Sequence, residues 1–585
     1  MGGTERRRHA VRAAASIAAL AAATLSVSAS SAAAHPPNGT VVEKPVFPKP
    51  ARAHGVKETY VHVYKPLPKS VGPHPARCDW IGYLRFRHAG GPANPSRADA
   101  IFVSMPGIFA GASMHDQVGR NVVRRAAKQG KDVEYWALDR RSNCLDDHRG
   151  VRTAAKHHNP NLAFGYYWRN RKVHGHRFPG FVSESQAAFL KHVGVARTVR
   201  DEYAVLRTGV PKLSVRRRKV LCGGHSLGGP LTTAFVDWDL DGKRKTKRDA
   251  GFRQCAGFFG QDTTLGFSGG GGDVGGATAL AQASGGSPYL NAPPFTPETI
   301  QVLGPLGVGA YYHPQRTNVI REIPHSTNID FSQRFLFSRN AVNFATDDPD
   351  IRDFRLTNEA VLAGLFDDNS SPISILRTSL GTIVGGPVAQ KDFPTPADLG
   401  SFPGVSPQLV NNAYTMIPTA PHGPIYRWLD YERMRHAPHQ VNDLGQRFTS
   451  ARSEFANPRD LAREVATSPA DFAEQYFPTR IVTDISAAES GDRSGNLSHM
   501  IYDGVPKRPG FLIDAGDSSA NSGAKPAKTP NADPPNHRKL SGVVTLPGYN
   551  HIDVVNAAWR QKGGRPEPAS AHLLRFGLRV LAGRR

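Results

Sequence analysis

The segment Lys219-Val-Leu-Cys-Gly-Gly-His-Ser-Leu-Gly-Gly-Pro230 decides the fold. Residues 219–222 are a short apolar run of strand character, and Leu227, Leu231, Ala234, Phe235 and Trp238 then recur at helical spacing. Pro230 falls in the first helical turn, where a missing N–H costs little. Between strand and helix stands Gly224-His225-Ser226-Leu227-Gly228. A strand that runs straight into a helix strains its turning residue and thrusts that side chain above the sheet edge. Side chains two positions before and after would strike the neighbouring strand and helix, so both positions require glycine. Ser226 is thereby the candidate nucleophile. The pattern alone is weak in a chain with 58 glycines, and Gly266-Phe267-Ser268-Gly269-Gly270 repeats it. No strand feeds that copy and a glycine run follows in place of a helix, so it reads as loop.

Working outward, strand-like runs precede the turn at 59–64, 80–86, 98–104 and 133–138, and one follows at 254–259. Residues 114–128 and 185–206 carry apolar side chains at three-to-four spacing and predict helices. Such alternation predicts parallel crossovers and a sheet covered on both faces. Residues 510–513 and 542–546 predict two further strands, and 568–582 a final helix. Between the halves strand alternation stops. A glycine-rich run at 266–276 leads there into Pro-rich turns and helical patches at 359–366, 372–380 and 470–477. The expected organisation is a signal peptide over 1–34, a Pro-rich segment over 35–55 and a core over 56–262. An inserted cap over 263–509 follows, entered through a flexible glycine hinge, and the core resumes over 510–585. A separate domain in series is the other arrangement. It leaves the closing strands without the first half of the sheet to pair with.

The chain has 585 residues, of which 39% are hydrophobic and 21% charged, an ordinary balance for a globular protein. The formal charge of +24 raises the question of nucleic acid. The basic residues are scattered, however, with short clusters at 216–219 and 243–248, and no helix-turn-helix, zinc-finger or RNP pattern accompanies them. Solubility or weak contact with an anionic cell surface is the expected role of the charge, and no nucleic acid is expected. Arg6, Arg7, Arg8 and Arg12 precede an Ala-rich apolar run from Ala13 to about Ser28, and Ala32-Ala33-Ala34 is a small-residue cleavage site. This reads as a removable signal peptide cut after Ala34; an uncleaved anchor is the alternative. Beyond it no uncharged apolar run reaches about 18 residues, so no transmembrane segment is expected after cleavage. Export permits disulfides among the four cysteines, Cys78, Cys144, Cys222 and Cys255. No metal-binding or nucleotide-binding spacing is present, and no cofactor is implied.

Ser226 and its flanks resemble the nucleophile elbow of the α/β-hydrolase superfamily, over about 59–262 and 509–585. The run Ala137-Leu-Asp-Arg-Arg-Ser-Asn-Cys-Leu-Asp146 is similar to a stretch in uncharacterised secreted actinobacterial hydrolases. The resemblance implies an α/β-hydrolase fold: a mostly parallel central sheet flanked by helices, here with a large inserted cap. It also implies the order nucleophile, acid, base along the chain. Of 23 histidines, His551 alone follows the last strand and a Pro-Gly turn, so it is the expected base. His225 is expected to pack under the elbow. For the acid, Asp517 sits where the family's acids usually lie, after the Ala-Gly turn that ends the seventh strand. Asp514 and Asp262 remain alternatives, and Asp553 is too near His551 in sequence to be preferred. The oxyanion donors implied are the N–H groups of Leu227 and, from the loop Ser104-Met-Pro-Gly-Ile-Phe-Ala-Gly111, of Ile108, with Phe109 second.

In the hydrolase sheet the second strand is antiparallel and neighbours the fourth, which implies a Cys78–Cys144 disulfide. Cys222 and Cys255 fall on neighbouring strands and are either buried thiols or a second bridge. A serine at the elbow points to acyl chemistry, and it disfavours haloalkane or epoxide opening, where aspartate would be expected. The expected partner is a small-molecule or lipid-like ester with a bulky hydrophobic group, which some of the cap's aromatic clusters would line. An exported acyltransferase using the same triad and a non-catalytic surface-binding protein are the alternative readings.

Overall fold

The computed structural model describes residues 35–50, 54–267, 272–395, 398, 410, 415–430, 454–503, 507–518, 541–561 and 564–583. The expected signal peptide lies outside the described residues, as do Ser268 and the two glycines after it. Nine strands form one sheet: β1 (Val41–Pro45), β2 (Val56–Tyr64), β3 (Trp80–His88), β4 (Ala100–Met105), β5 (Val133–Leu138), β6 (Val220–His225), β7 (Gly257–Gln261), β8 (Gly510–Ala515) and β9 (Gly542–Leu546). Their spatial order is β1-β2-β3-β5-β4-β6-β7-β8-β9. β1, β2, β3 and β5 pair antiparallel in succession, and every pairing from β5 to β9 is parallel.

Strands β4, β5 and β6 are buried at every residue, as a parallel sheet covered on both faces requires. Alternate side chains feed two separate cores. Phe102, Tyr135, Leu221, Phe259 and Phe511 pack on one face, with Val118, Val122 and Val123 of helix α1 (Asp116–Ala127) and Leu573, Leu574 and Phe576 of a helix at the C-terminal end (Pro568–Ala582). Ile101, Val103, Trp136, Cys222, Phe258 and Leu512 face the other way. They meet Val199, Val205 and Leu206 of α2 (Val195–Gly209) and Leu231, Ala234 and Phe235 of α3 (Gly228–Asp237).

Among the described residues, nothing between β7 and β8 joins this sheet. That stretch builds helices and a three-stranded sheet of Arg355–Leu356, Ile425–Asp430 and Gly381–Val384. The disulfides are Cys78–Cys144 and Cys222–Cys255, with Cα–Cα distances of 5.0 and 6.0 Å. No helix among the described residues is long and apolar enough to cross a membrane.

Several expectations are corrected. The Pro-rich segment contains β1, whose side chains are all exposed and so give no alternating hydrophobic pattern to read. The helix expected from 185 starts at Val195, because Gly194 interrupts it and the Asp484 carboxylate accepts the Val195 N–H at 3.0 Å. Residues 372–380 hold only a single tight turn at Ser374–Leu376. Residues 470–477 are not helical; they run alongside the loop after β4, where Gly111 N–H donates to Phe472 O and Glu474 N–H to Phe109 O. Of the expected glycine hinge at 266–276, residues 268–271 lie outside the described residues, and a helix, Gly272–Ala283, begins within the run.

Candidate active site

The turn between β6 and α3 places Ser226 at φ 53°, a left-handed conformation that a serine adopts only under constraint. Its glycines are demanded by contact. A methyl on Gly224 would lie 2.4 Å from Gly228 O, and one on Gly228 would lie 2.1 Å from the O of Met105, the last residue of β4. The Ser226 N–H donates to Gln261 O at 3.2 Å, and Thr263 Oγ1 donates to Ser226 O at 2.5 Å. The turn is thus fixed from β7 as well as from its own helix.

His551 comes to this turn from the loop after β9. His225 Nε2 donates to His551 O at 2.9 Å, and the two rings lie 4.5 Å apart. Burial, then the neighbouring His551 and His115, push the His225 imidazole well below its usual range. It is therefore neutral and acts as a tie, as expected of a residue under the elbow. The acid beside His551 is Asp262, not Asp517. Asp262 Oδ2 meets His551 Nδ1 at 2.5 Å, and its Oδ1 accepts the Ala515 N–H at 3.0 Å. Asp262 follows the last residue of β7, beside the nucleophile's strand, and a φ of 45° turns it toward the imidazole. Asp517 is exposed, and its backbone N–H, not its carboxylate, ties it to the His551 loop through Tyr549 O at 2.9 Å. Asp514 stands on β8 with its carboxyl pushed up to about 7, first by burial and then by the charge of Asp262. It is a neighbour of the pair.

The loop after β4 passes directly over Ser226: a methyl on Gly107 would stand 3.3 Å from Ser226 Oγ. Arg140 holds this loop from behind. Its Nη1 donates to Pro106 O at 2.8 Å, and its Nη2 to Gly107 O at 2.6 Å and to Ala110 O at 2.8 Å. Its Nε pairs with Glu474 Oε2 at 2.6 Å, and both side chains are buried. Three carbonyls are thereby drawn toward one cation. Among the described residues no backbone acceptor takes the N–H of Ile108, Phe109 or Leu227 outside regular helix and strand pairing. Ile108 and Leu227 lie on the two segments that meet at Ser226, the loop after β4 and the turn between β6 and α3. Sequence reasoning missed Arg140 and Glu474, although Arg140 lies inside the quoted run 137–146.

An apolar cavity of about 100 Å³ opens beside the same loop, between Ile108, Phe109, Leu336, Leu365, Phe366 and Phe472. Of the aromatic clusters between β7 and β8, some of which were expected to line a pocket, 335–337 and 361–366 contribute Leu336, Leu365 and Phe366 to this cavity. Tyr426, Trp428, Tyr476 and Phe477 belong to buried cores. Tyr414 lies outside the described residues. Ser226 and His551 are themselves only 4% and 3% exposed.

No family model matches the chain, and no curated protein does. Among solved structures it is similar to a hormone-sensitive lipase from a metagenome library, at 17% identity over 37% of this chain and 46% of that one, TM-score 0.18. An S-formylglutathione hydrolase from Staphylococcus aureus matches at 11% identity over 36% of this chain and 59% of that one, TM-score 0.18. A juvenile hormone epoxide hydrolase from the silkworm Bombyx mori matches at 8% identity over 90% of this chain and 80% of that one, TM-score 0.32. The first two alignments thus span roughly half of their partners' lengths. The fold is read from the sheet itself: with β3 antiparallel beside β5, parallel order from β5 to β9, and a strand–turn–helix at Ser226, this chain has the α/β-hydrolase fold.

Proposed function

We propose that this protein is a secreted serine hydrolase of carboxylic esters that carry a bulky hydrophobic group, working through Ser226, His551 and Asp262. The observation that carries the reading is the Asp262–His551 pair, buried against the strained serine turn. A serine hydroxyl is a poor nucleophile until a base takes its proton. His551 takes it as Ser226 Oγ attacks the ester carbonyl. Asp262 holds the imidazole by Nδ1 and stabilises the imidazolium that forms. The oxyanion is met by the N–H groups of Leu227 and Ile108. Collapse of the tetrahedral intermediate releases the alcohol with the proton from His551 and leaves Ser226 acylated. Water, deprotonated by His551, then frees the acid and restores the serine. Two disulfides and the Arg-rich, Ala-rich leader support export, and the scattered positive charge supports weak contact with an anionic cell surface.

The test is mass spectrometry of the folded protein after a fluorophosphonate probe. The expected adduct is on Ser226 and is absent from Ser226→Ala. A folded protein that takes no probe would turn the reading toward a non-catalytic binding protein. The low exposure of Ser226 and His551 favours one second reading, acyl transfer to an acceptor other than water. Turnover of p-nitrophenyl esters with and without an added alcohol separates the two: a transfer product that outruns the free acid demotes hydrolysis.

A further inference from the structure

Arginines that are scattered along the sequence gather at one place in the fold. Helix α1 and the helix Pro458–Ala466 flank a cavity of about 300 Å³, and each contributes two arginines to its wall. The pairs are Arg120 with Arg124 and Arg459 with Arg463, each four residues apart. Residues at that spacing share one face of a helix, where like charges repel. Two of the four are compensated: Arg120 and Arg463 both pair with Asp116 and with Glu58, all four side chains nearly buried. The other two are not. Among the described residues neither Arg124 nor Arg459 has an ion pair or a side-chain hydrogen bond. Each lies instead over an aromatic ring of the same lining. Arg124 Cζ stands 4.1 Å from the centre of the Trp559 ring, and Arg459 Cζ 5.6 Å from that of Tyr311. The Arg125 guanidinium and the Lys128 ammonium also reach the Trp559 ring, each at 4.9 Å. Burial, then the charges of Arg560 and Arg125, hold Arg124 below its usual range. Among the described lining residues Asp460 is the one acid, so it offsets at most one of the two uncompensated arginines.

We propose that this cavity binds a phosphate group, with Arg124 and Arg459 as its two partners. The inference stands apart from the ester-hydrolase reading, and the cavity shares no lining residue with the one beside Ser226. A guanidinium stacked on a ring is held in one plane and keeps its N–H edge for an oxyanion. A planar carboxylate is satisfied by a single such fork. A phosphate monoester carries nearly two charges and three strong acceptor oxygens, and so has bonds for a fork from each helix. Its charge also relieves the repulsion that the unpaired arginines otherwise sustain. The volume leaves room for the organic part of a small ester beside the ion.

The experiment is calorimetric titration of the folded protein with inorganic phosphate, at constant ionic strength in sodium chloride. Wild type is compared with Arg124→Gln, Arg459→Gln and Lys212→Gln. Expected is one saturable site in the wild type, weakened about 10-fold or more by either arginine substitution. Lys212 is exposed and outside the lining, so Lys212→Gln removes the same unit of charge and should leave the affinity unchanged. The site is overturned by no saturable binding in the wild type, by undiminished binding in a folded arginine variant, or by an equal loss in Lys212→Gln. Binding that disappears in Ser226→Ala would place the ion at the serine turn and overturns it as well. The two arginines stand on different helices, so a variant that misfolds leaves the other to be read. Competition then separates the sources of the phosphate. Displacement by glycerol 3-phosphate assigns a soluble ester, and displacement only by phosphatidylcholine vesicles containing phosphatidic acid assigns a lipid headgroup.

Discussion

Asp262, Asp514 and Asp517 all stand near the carboxyl ends of neighbouring strands, and their environments divide the roles. Asp262 is 1% exposed, accepts a backbone N–H on one oxygen and faces His551 on the other. Asp262→Asn keeps the shape but no longer enforces the imidazole's tautomer, and kcat is expected to fall by about three to four orders of magnitude. Asp517→Asn is expected to stay near wild type, and steady-state kinetics on one short ester decides between them. Asp514 gives a pH signature. Its carboxyl is neutral below about pH 7 in the folded protein. As pH rises it ionises, adds negative charge beside Asp262 and raises the proton affinity of His551. Asp514→Asn removes that charge, so the acid limb of kcat/KM should move to lower pH by about 0.5 unit or less. An unmoved limb would mean that the Asp514 charge does not reach the imidazole. Ser226 and His551 were legible because strand, turn and helix write local patterns. Which aspartate meets the imidazole was not: the choices lie at the ends of two neighbouring strands, and what brings Asp262 to His551 is a left-handed backbone angle and the strand beside it, neither of which leaves a mark in composition.

At the scale of elements, the loop after β4 shows how a backbone donor is prepared. A cation that collects three carbonyls from one face of a loop leaves its N–H groups to the other. In the proposed mechanism Arg140 would therefore position the oxyanion donors without touching substrate. Arg140→Lys keeps the charge but not the planar fork that reaches several carbonyls at once. The expected result is a fall in kcat of about 10- to 100-fold with KM changed far less, because the lost interaction is felt at the transition state. A rise in KM at constant kcat would instead assign Arg140 to substrate binding. The buried Glu474 would then be poorly paired, so thermal stability should fall in the same variant. Residues 470–477 predict a helix by their apolar spacing, yet they run irregularly along this loop and pair with it at Ala473. The partnership of Arg140 with Glu474 spans 334 positions, and a window of a few turns carries no sign of it.

On the scale of the whole molecule, the two-faced sheet was readable in advance because its central strands are short, mostly apolar runs and its helices keep a regular period. The service that residues between β7 and β8 render to the base loop was not readable. Asp553 is wholly buried two positions after His551, with its oxygens turned toward that intervening stretch. Oδ1 accepts from Thr378 Oγ1 at 2.7 Å and Ser379 N at 2.9 Å, and Oδ2 accepts from Ser379 Oγ at 2.6 Å. Ile552 N–H donates to Arg377 O at 3.0 Å, and Asn550 Nδ2 to Asp368 Oδ2 at 2.8 Å. The residues on both sides of His551 are therefore anchored to the long segment that joins the two halves of the sheet. If that segment were only a cover, loosening these bonds would leave the chemistry intact. If it fixes the imidazole, Thr378→Val with Ser379→Ala should slow fluorophosphonate labelling and kcat about 10-fold, since each hydrogen bond to a carboxylate is worth about 1.5–3 kcal/mol. Val342, 68% exposed on the same segment, supplies the control, and Val342→Ala should label at the wild-type rate. Equal labelling by the double variant would mean that the loop after β9 holds itself.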